Sequence, residues 1–313
     1  MTKESFAEMG RVAAIGKLFG GIDPDAGKTR NSAHRLFLEG IDFNLEYFPL
    51  KHLGYKVVVE VTGILYASLR KSERLSLVLG VSSKLDFKQI EEFWSGVRVA
   101  VQEFGYSHTD LDLVPSLNGL CISVTAEGEK VVEGFGKPAS MDVLCVSGSL
   151  GSAFFGQQVL ENKPSELEKY KMMVADYLKP ELRADAPQQI VASGIVPTAG
   201  CFVDRGLSDA ILRMAVETGL GAKVYADKIP FEGNSFSLGQ ELGIDTVSAA
   251  MNGGDDCRLL FAIPILQAEK FRREFQTFDI IGHLALPEAG AVLVTPEGVE
   301  LPLRAQGWPD DAQ

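Results

Sequence analysis

Between Pro49 and Ala126 the apolar residues change their period three times, and a chain that does so cannot be a plain bundle or a plain sandwich. Leu50, Leu53, Val57, Val58, Val61 and Leu65 recur at i, i+3 and i+4 behind Pro49, which predicts a helix with proline at its start. Arg74 to Ser82 then alternates through Leu75, Leu77, Leu79 and Val81, the period of a half-buried strand. Asp86 is placed to cap a second helix carrying Phe87, Ile90, Phe93, Val97, Val101 and Phe104, and Gly119 to Ala126 alternates again. This order predicts a sheet with helices layered on it, an α/β protein of the α+β layered type.

The same alternation continues past a glycine-bearing stretch at Gly134 to Ser140. Strands are expected at Asp142 to Val146, Ala222 to Ala226, Arg258 to Ile263 and Ala291 to Val294, and helices near Ala153 to Leu160, Ser165 to Leu178 and Leu207 to Thr218. A further helix is expected over 5 to 19, closed by Gly20-Gly21, with a polar connection from Ile22 to Ser32. At 313 residues the chain suits two domains, placed here at 1–138 and 139–313.

A net charge of −12 with no cluster of Lys and Arg excludes a duplex nucleic-acid binder, and any anionic ligand needs local help from a metal or an arginine. Cys121, Cys145, Cys201 and Cys257 stand far apart beside apolar neighbours and read as reduced core thiols. No run approaches the ~18 apolar residues of a membrane helix and the first ten residues lack an apolar leader, so a cytoplasmic protein with no membrane role is expected. Gly21 to Thr29 imitates a phosphate loop but carries one residue too many between its glycines, with no apolar strand before it. His34, His52, His108 and His283 share no spacing.

Two glycine loops have the composition of a site. Asn252-Gly-Gly-Asp-Asp256 precedes the strand-like Arg258 to Pro264, and Val146-Ser-Gly148-Ser-Leu-Gly151 lies between strand and helix. Each alone also fits a solvated turn or a plain connection. Taken in order with Glu39-Gly-Ile-Asp-Phe-Asn44, Tyr47 to Lys56, Phe93-Trp-Ser-Gly96, Leu178-Lys-Pro-Glu-Leu-Arg183 and Ala305-Gln-Gly-Trp308, they form a series that resembles the thiamine-monophosphate kinase family. That family belongs to the superfamily of aminoimidazole-ribonucleotide synthetase, and the resemblance runs from about Ser32 to Trp308.

The resemblance implies an N-terminal α/β domain that dimerises through its sheet and a C-terminal α/β domain, with ATP and substrate between them. It implies a kinase that passes the ATP γ-phosphoryl group to thiamine phosphate, using Mg²⁺ held by aspartates. Against the family pattern, however, TTDL is Ala33-His34-Arg35-Leu36, the SD of the first long helix is Thr62-Gly63, and DxSDGL is Phe202-Val203-Asp204-Arg205-Gly206-Leu207. The GGDT loop reads Asp110-Leu-Asp112-Leu113, and a GDDA-type loop is shortened to Asp23-Pro-Asp-Ala26.

Position by position, the resemblance leaves Asp112 and Asp256 as metal candidates and Asp42, Asp255 and Trp308 on the substrate side. Arg35, Asp204, Arg205, Gly148 and Gly151 remain for a nucleotide or anion. Exchanging a ligand aspartate for arginine reverses a term of about 4 kcal/mol at ~4 Å and an effective dielectric near 20. The expectation is therefore a homodimeric kinase relative, catalytically impaired or repurposed to bind thiamine phosphate or a related small molecule. In that reading Arg35 and Arg205 replace magnesium by pairing with Asp112 and Asp204 or by gripping an anion. An active kinase on a reduced set of Asp112, Asp204, Asp255 and Asp256, and a structural or partner-binding subunit, stand as alternatives.

Overall fold

The computed structural model of the protein describes residues 9–19 and 32–305. The expected first helix is seen as α1 (Arg11–Phe19). Residues 5–8, the Gly21 to Thr29 and Asp23 to Ala26 segments and Trp308 lie outside the described range. The chain divides into two compact units, one made of Asn31–Gly134 and Phe155–Gly194, the other of the N-terminal segment, Phe135–Phe154 and the chain from Ile195.

The first unit is built on four strands, β1 (Ser32–Leu38), β2 (Arg70–Ser82), β3 (His108–Ser116) and β4 (Cys121–Lys130), in the order β1-β4-β2-β3. β2 and β3 run parallel, and the other pairs are antiparallel. The alternating leucines of β2 are buried, as are Leu120, Ile122, Val124 and Ala126 along and beside β4, so one sheet face supplies the core. Helices α2 (Leu50–Ala67) and α3 (Phe87–Phe104) belong to this unit. Asp86 caps α3 as the sequence indicates: its side chain accepts from the Gln89 amide, and Gln89 answers through the Asp86 amide. The segment Asp110 to Leu113, read as a loop from the family pattern, lies inside the edge strand β3. Without the two glycines nothing there demands a turn, and Leu111 and Leu113 continue the extended chain.

α2 and α3 cross backbone against backbone. A Cβ on Gly54 would collide with the carbonyl of Phe93, and one on Gly96 with the carbonyl of Lys51. Two glycines of the sequence series are thus explained by a helix crossing rather than by a ligand.

The second unit carries seven strands, β5 (Val143–Ser147), β6 (Ala199–Val203), β7 (Gly221–Tyr225), β8 (Arg258–Ile263), β9 (Phe278–Ala285), β10 (Ala291–Val294) and β11 (Glu300–Pro302), in the order β11-β10-β7-β9-β5-β8-β6. The chain between them forms α4 (Ser152–Asn162), α5 (Lys171–Leu178), α6 (Ala186–Ala192), α7 (Leu207–Thr218), α8 (Ser235–Leu242), α9 (Thr246–Asn252) and α10 (Ala268–Glu274). The expected helix over 165–178 is split: a short turn of 3₁₀ helix at Pro164–Glu166 gives way to further turns before α5 starts at Lys171. α5 and α6 pack with the four-stranded unit. Tyr177 stacks on Phe48 with centroids 5.2 Å apart, and the Tyr66 hydroxyl donates to the carbonyl of Ala184 at 3.0 Å. This is why the division follows packing and crosses the chain at several points. In the seven-stranded unit β5, β8 and β6 are neighbours with β8 antiparallel to both, so the ends of β5 and β6 and the start of β8 meet along one margin of the sheet.

Gly96→Ala is expected to destabilise the protein by about 3 kcal/mol, since the clash is with backbone and no flexible side chain can yield. Chemical denaturation followed by circular dichroism checks this.

Candidate functional site

Three loops converge on that margin: Gly148 to Gly151 after β5, Asp204 to Gly206 after β6, and Gly253 to Cys257 before β8. They are joined by specific bonds. The Asp255 amide donates to the Asp204 carbonyl at 2.8 Å, the Leu259 amide to the Ser147 hydroxyl at 2.9 Å, and the Arg258 Nε to the Ser149 carbonyl at 3.1 Å. Asp255 and Cys257 hold φ of 63° and 54°, a region that costs a side-chain-bearing residue on the order of 1–3 kcal/mol. Such strain persists because the surrounding bonds fix the loop, and it collects at functional sites.

Three carboxylates of this unit, Asp204, Asp209 and Asp256, have cations or amides of the chain itself on their oxygens. Asp256 is buried, its Oδ2 accepting from the Gly151 amide at 2.8 Å and its Oδ1 from the Ala153 amide at 3.3 Å. It thus neutralises the amino end of α4 from a distant loop. Asp204 accepts from Arg213 at 2.8 Å and lies 3.9 Å from the Arg205 Nε. Asp209, in the first turn of α7, is gripped by Arg11 at 2.6 and 2.8 Å and by the Arg213 Nε at 2.7 Å. Burial works against the charge of Arg213, yet Cys201, Asp204 and Asp209 together raise its pKa above the ordinary arginine value. The arrangement resembles an ionic lattice with its counter-ions built into the chain.

The four-stranded unit repeats the theme. Arg35 is buried on β1 and its Nη1 meets Glu60 of α2 at 2.7 Å, with Asp42 at 3.9 Å from Nη2. Asp42 also accepts from the Leu38 amide at 2.8 Å. Glu60 takes the place that the sequence reading gave to Asp112 as the partner of Arg35. Asp112 itself is exposed on β3, accepting from the Leu113 amide at 2.9 Å. One turn before Glu60, the buried Lys56 ammonium sits 4.1 Å from the Tyr177 ring centre and 5.4 Å from that of Phe48.

The structure therefore gathers Gly148, Gly151, Asp204, Arg205, Asp255 and Asp256 in one unit, and Arg35 and Asp42 in the other. Gly148 and Gly151 both have left-handed backbones, and the Arg258 guanidinium lies against the open face of Gly148, where a Cβ would stand 3.0 Å from Nε. Glu60, Asp209, Arg213 and Arg258 were missed because each sits within an element. Only its i, i+4 spacing from Asp209 marked Arg213 out. Among the described residues no group of three or more His, Cys, Asp and Glu side chains is disposed to hold a metal ion, and no helix is long and apolar enough to cross a membrane.

No family model matches the chain. A solved thiamine monophosphate kinase from Aquifex aeolicus superposes with a TM-score of 0.77 at 21% identity, over 96% of this chain and 100% of that one. AaThiL complexed with AMPPCP and TMP gives 0.80 at 20% identity, over 98% and 99%. HypE, a hydrogenase maturation protein in complex with ATP, gives 0.67 at 17% identity, over 97% of both chains. These likenesses define the class: the protein has the two-sheet fold of the aminoimidazole-ribonucleotide synthetase-like proteins. In sequence it is 25% identical over 230 residues to the thiamine-monophosphate kinase of Aquifex aeolicus, covering 72% of this chain and 73% of that one. It is 25% identical over 236 residues to that of Methanospirillum hungatei, covering 74% and 72%. In sequence, as in fold, the chain is similar to thiamine-monophosphate kinases.

Removing one partner of the Arg35–Glu60 pair breaks a buried ion pair, so Glu60→Met and Arg35→Met are each expected to cost about 3 kcal/mol or more, while the paired change costs less than either. Urea midpoints of the two single variants and the double variant check the ordering.

Proposed function

We propose that this protein is a thiamine-monophosphate kinase homologue that binds a small phosphorylated, heteroaromatic ligand, thiamine phosphate or a close relative, without passing a phosphoryl group to it. The reading places it in the cytoplasm as a homodimer. One observation carries it: Asp204, Asp209 and Asp256 each have a guanidinium or a pair of amides of the same chain on their oxygens, and Asp42 has the Leu38 amide with Arg35 3.9 Å away. A hard cation needs about six oxygen ligands, and ligands already neutralised by arginine do not supply them. The described residues do not fit a multi-magnesium site.

What the three loops offer instead is positive charge at a glycine-lined margin. Arg205 is part-exposed beside Asp204, and Arg258 lies under Gly148. In a chain of net charge −12 these guanidinium groups supply the local help that an anionic ligand needs, since the planar fork suits bidentate contact with phosphate. Asp255, Gly148 and Gly151 line the same margin, and Asp42 and the C-terminal Trp308 belong to the substrate side of this reading.

Asp112 favours a second reading. Of the two metal candidates, Asp112 and Asp256, it is the one that stands exposed, with the Leu113 amide on one oxygen. An active kinase on a reduced metal set would depend on it.

Transfer of label from γ-³²P-ATP to thiamine phosphate in the presence of Mg²⁺ separates the two. The expected result is no transfer above background, together with thiamine phosphate binding that chelation with EDTA leaves unchanged. Steady turnover that is lost on Asp112→Asn would establish the second reading.

A further inference from the structure

The charge network around Asp209 reaches from the first described helix to the margin of the candidate site. Arg11 and Ala14 lie three residues apart on one face of α1, and Ala14 is buried while Ile15 and Leu18 are exposed. Within α1 the apolar face is small, and Arg11 makes a two-pronged contact with Asp209. Asp209 is 2% exposed and Arg11 25% exposed. Beyond Asp209 the network continues through Arg213, which donates to Asp209, to the carbonyl of Phe202 at 2.7 Å and to Asp204 at 2.8 Å. From Asp204 it passes to the Asp255 amide.

We propose that α1 is an electrostatic strap whose docking through Arg11 holds the Asp204 to Gly206 loop, and with it the Asp255 turn, in place. The geometry supports it: Asp204 and Asp209 share Arg213, and Arg11 adds from a separate element a second close guanidinium on Asp209. When α1 lifts away, Asp209 loses its two-pronged contact with Arg11, and the first turn of α7 opens to admit water. The sequence on either side of Asp209 has a direct part in that opening, since Asp204 and Arg205 precede the helix and Arg213 closes its next turn. Arg11 is a positioning residue here, and the inference stands whatever ligand the margin takes.

Hydrogen exchange on the full chain tests it by comparing wild type with Arg11→Ala. The expected result is about tenfold faster exchange of amides in 11–19, in 203–210 and at Asp255, with the circular dichroism spectrum unchanged, as for the loss of one charge-assisted contact. Faster exchange confined to 11–19, or unchanged exchange throughout, would overturn the strap. Global unfolding of the variant would overturn it as well, because a strap leaves the rest of the chain folded.

Discussion

Everything distinctive in this protein follows from buried carboxylates neutralised by cations of the same chain. A carboxylate taken out of water without a partner is not tolerated, and the two common solutions are a bound metal and an internal guanidinium. Here Arg35 answers Glu60 in one unit, and Arg213 and Arg11 answer Asp204 and Asp209 in the other. The first solution leaves charge to be used on an anionic ligand through the metal. The second turns the acids into internal supports, with no metal needed to balance them.

The sheets set where this happens. β5, β8 and β6 bring three loops to one margin because β8 runs antiparallel to both neighbours. The left-handed residues at Asp255 and Cys257 then let the chain reverse within the loop and enter β8. In the four-stranded unit the backbone contact between α2 and α3 at Gly54 and Gly96 brings two long helices into a tight crossing. Two features of one family pattern, glycines and acids, thus divide between packing and charge.

Much of this was legible in the sequence. The period changes from Pro49 to Ala126 locate two strands and two helices, and Asp86 caps the second helix as expected, with a Gln89 partner that the spacing alone did not single out. The resemblance sets arginines 35 and 205 against aspartates and so leads to an expectation of carboxylate neighbours, and both lie by carboxylates. Their partners were less visible. Glu60 lies inside an apolar helical stripe, where one acid among valines gives no periodic signal, and only the pairing of β1 against α2 brings it to Arg35. Asp112 looked like a loop ligand because the family pattern was carried over, whereas the missing glycines made the segment a strand. The split of 165–178 escaped notice because its spacing reads equally well as one long helix.

Manganese titration followed by electron paramagnetic resonance of the free ion addresses the central claim most directly, since Mn²⁺ takes the same oxygen ligands as Mg²⁺ and loses its sharp free signal on binding. Internal neutralisation of the carboxylates predicts that the free-ion signal stays at its buffer value with the protein alone, and at its value for nucleotide alone when ATP is added with the protein. Tight uptake of two or more ions per chain would contradict it.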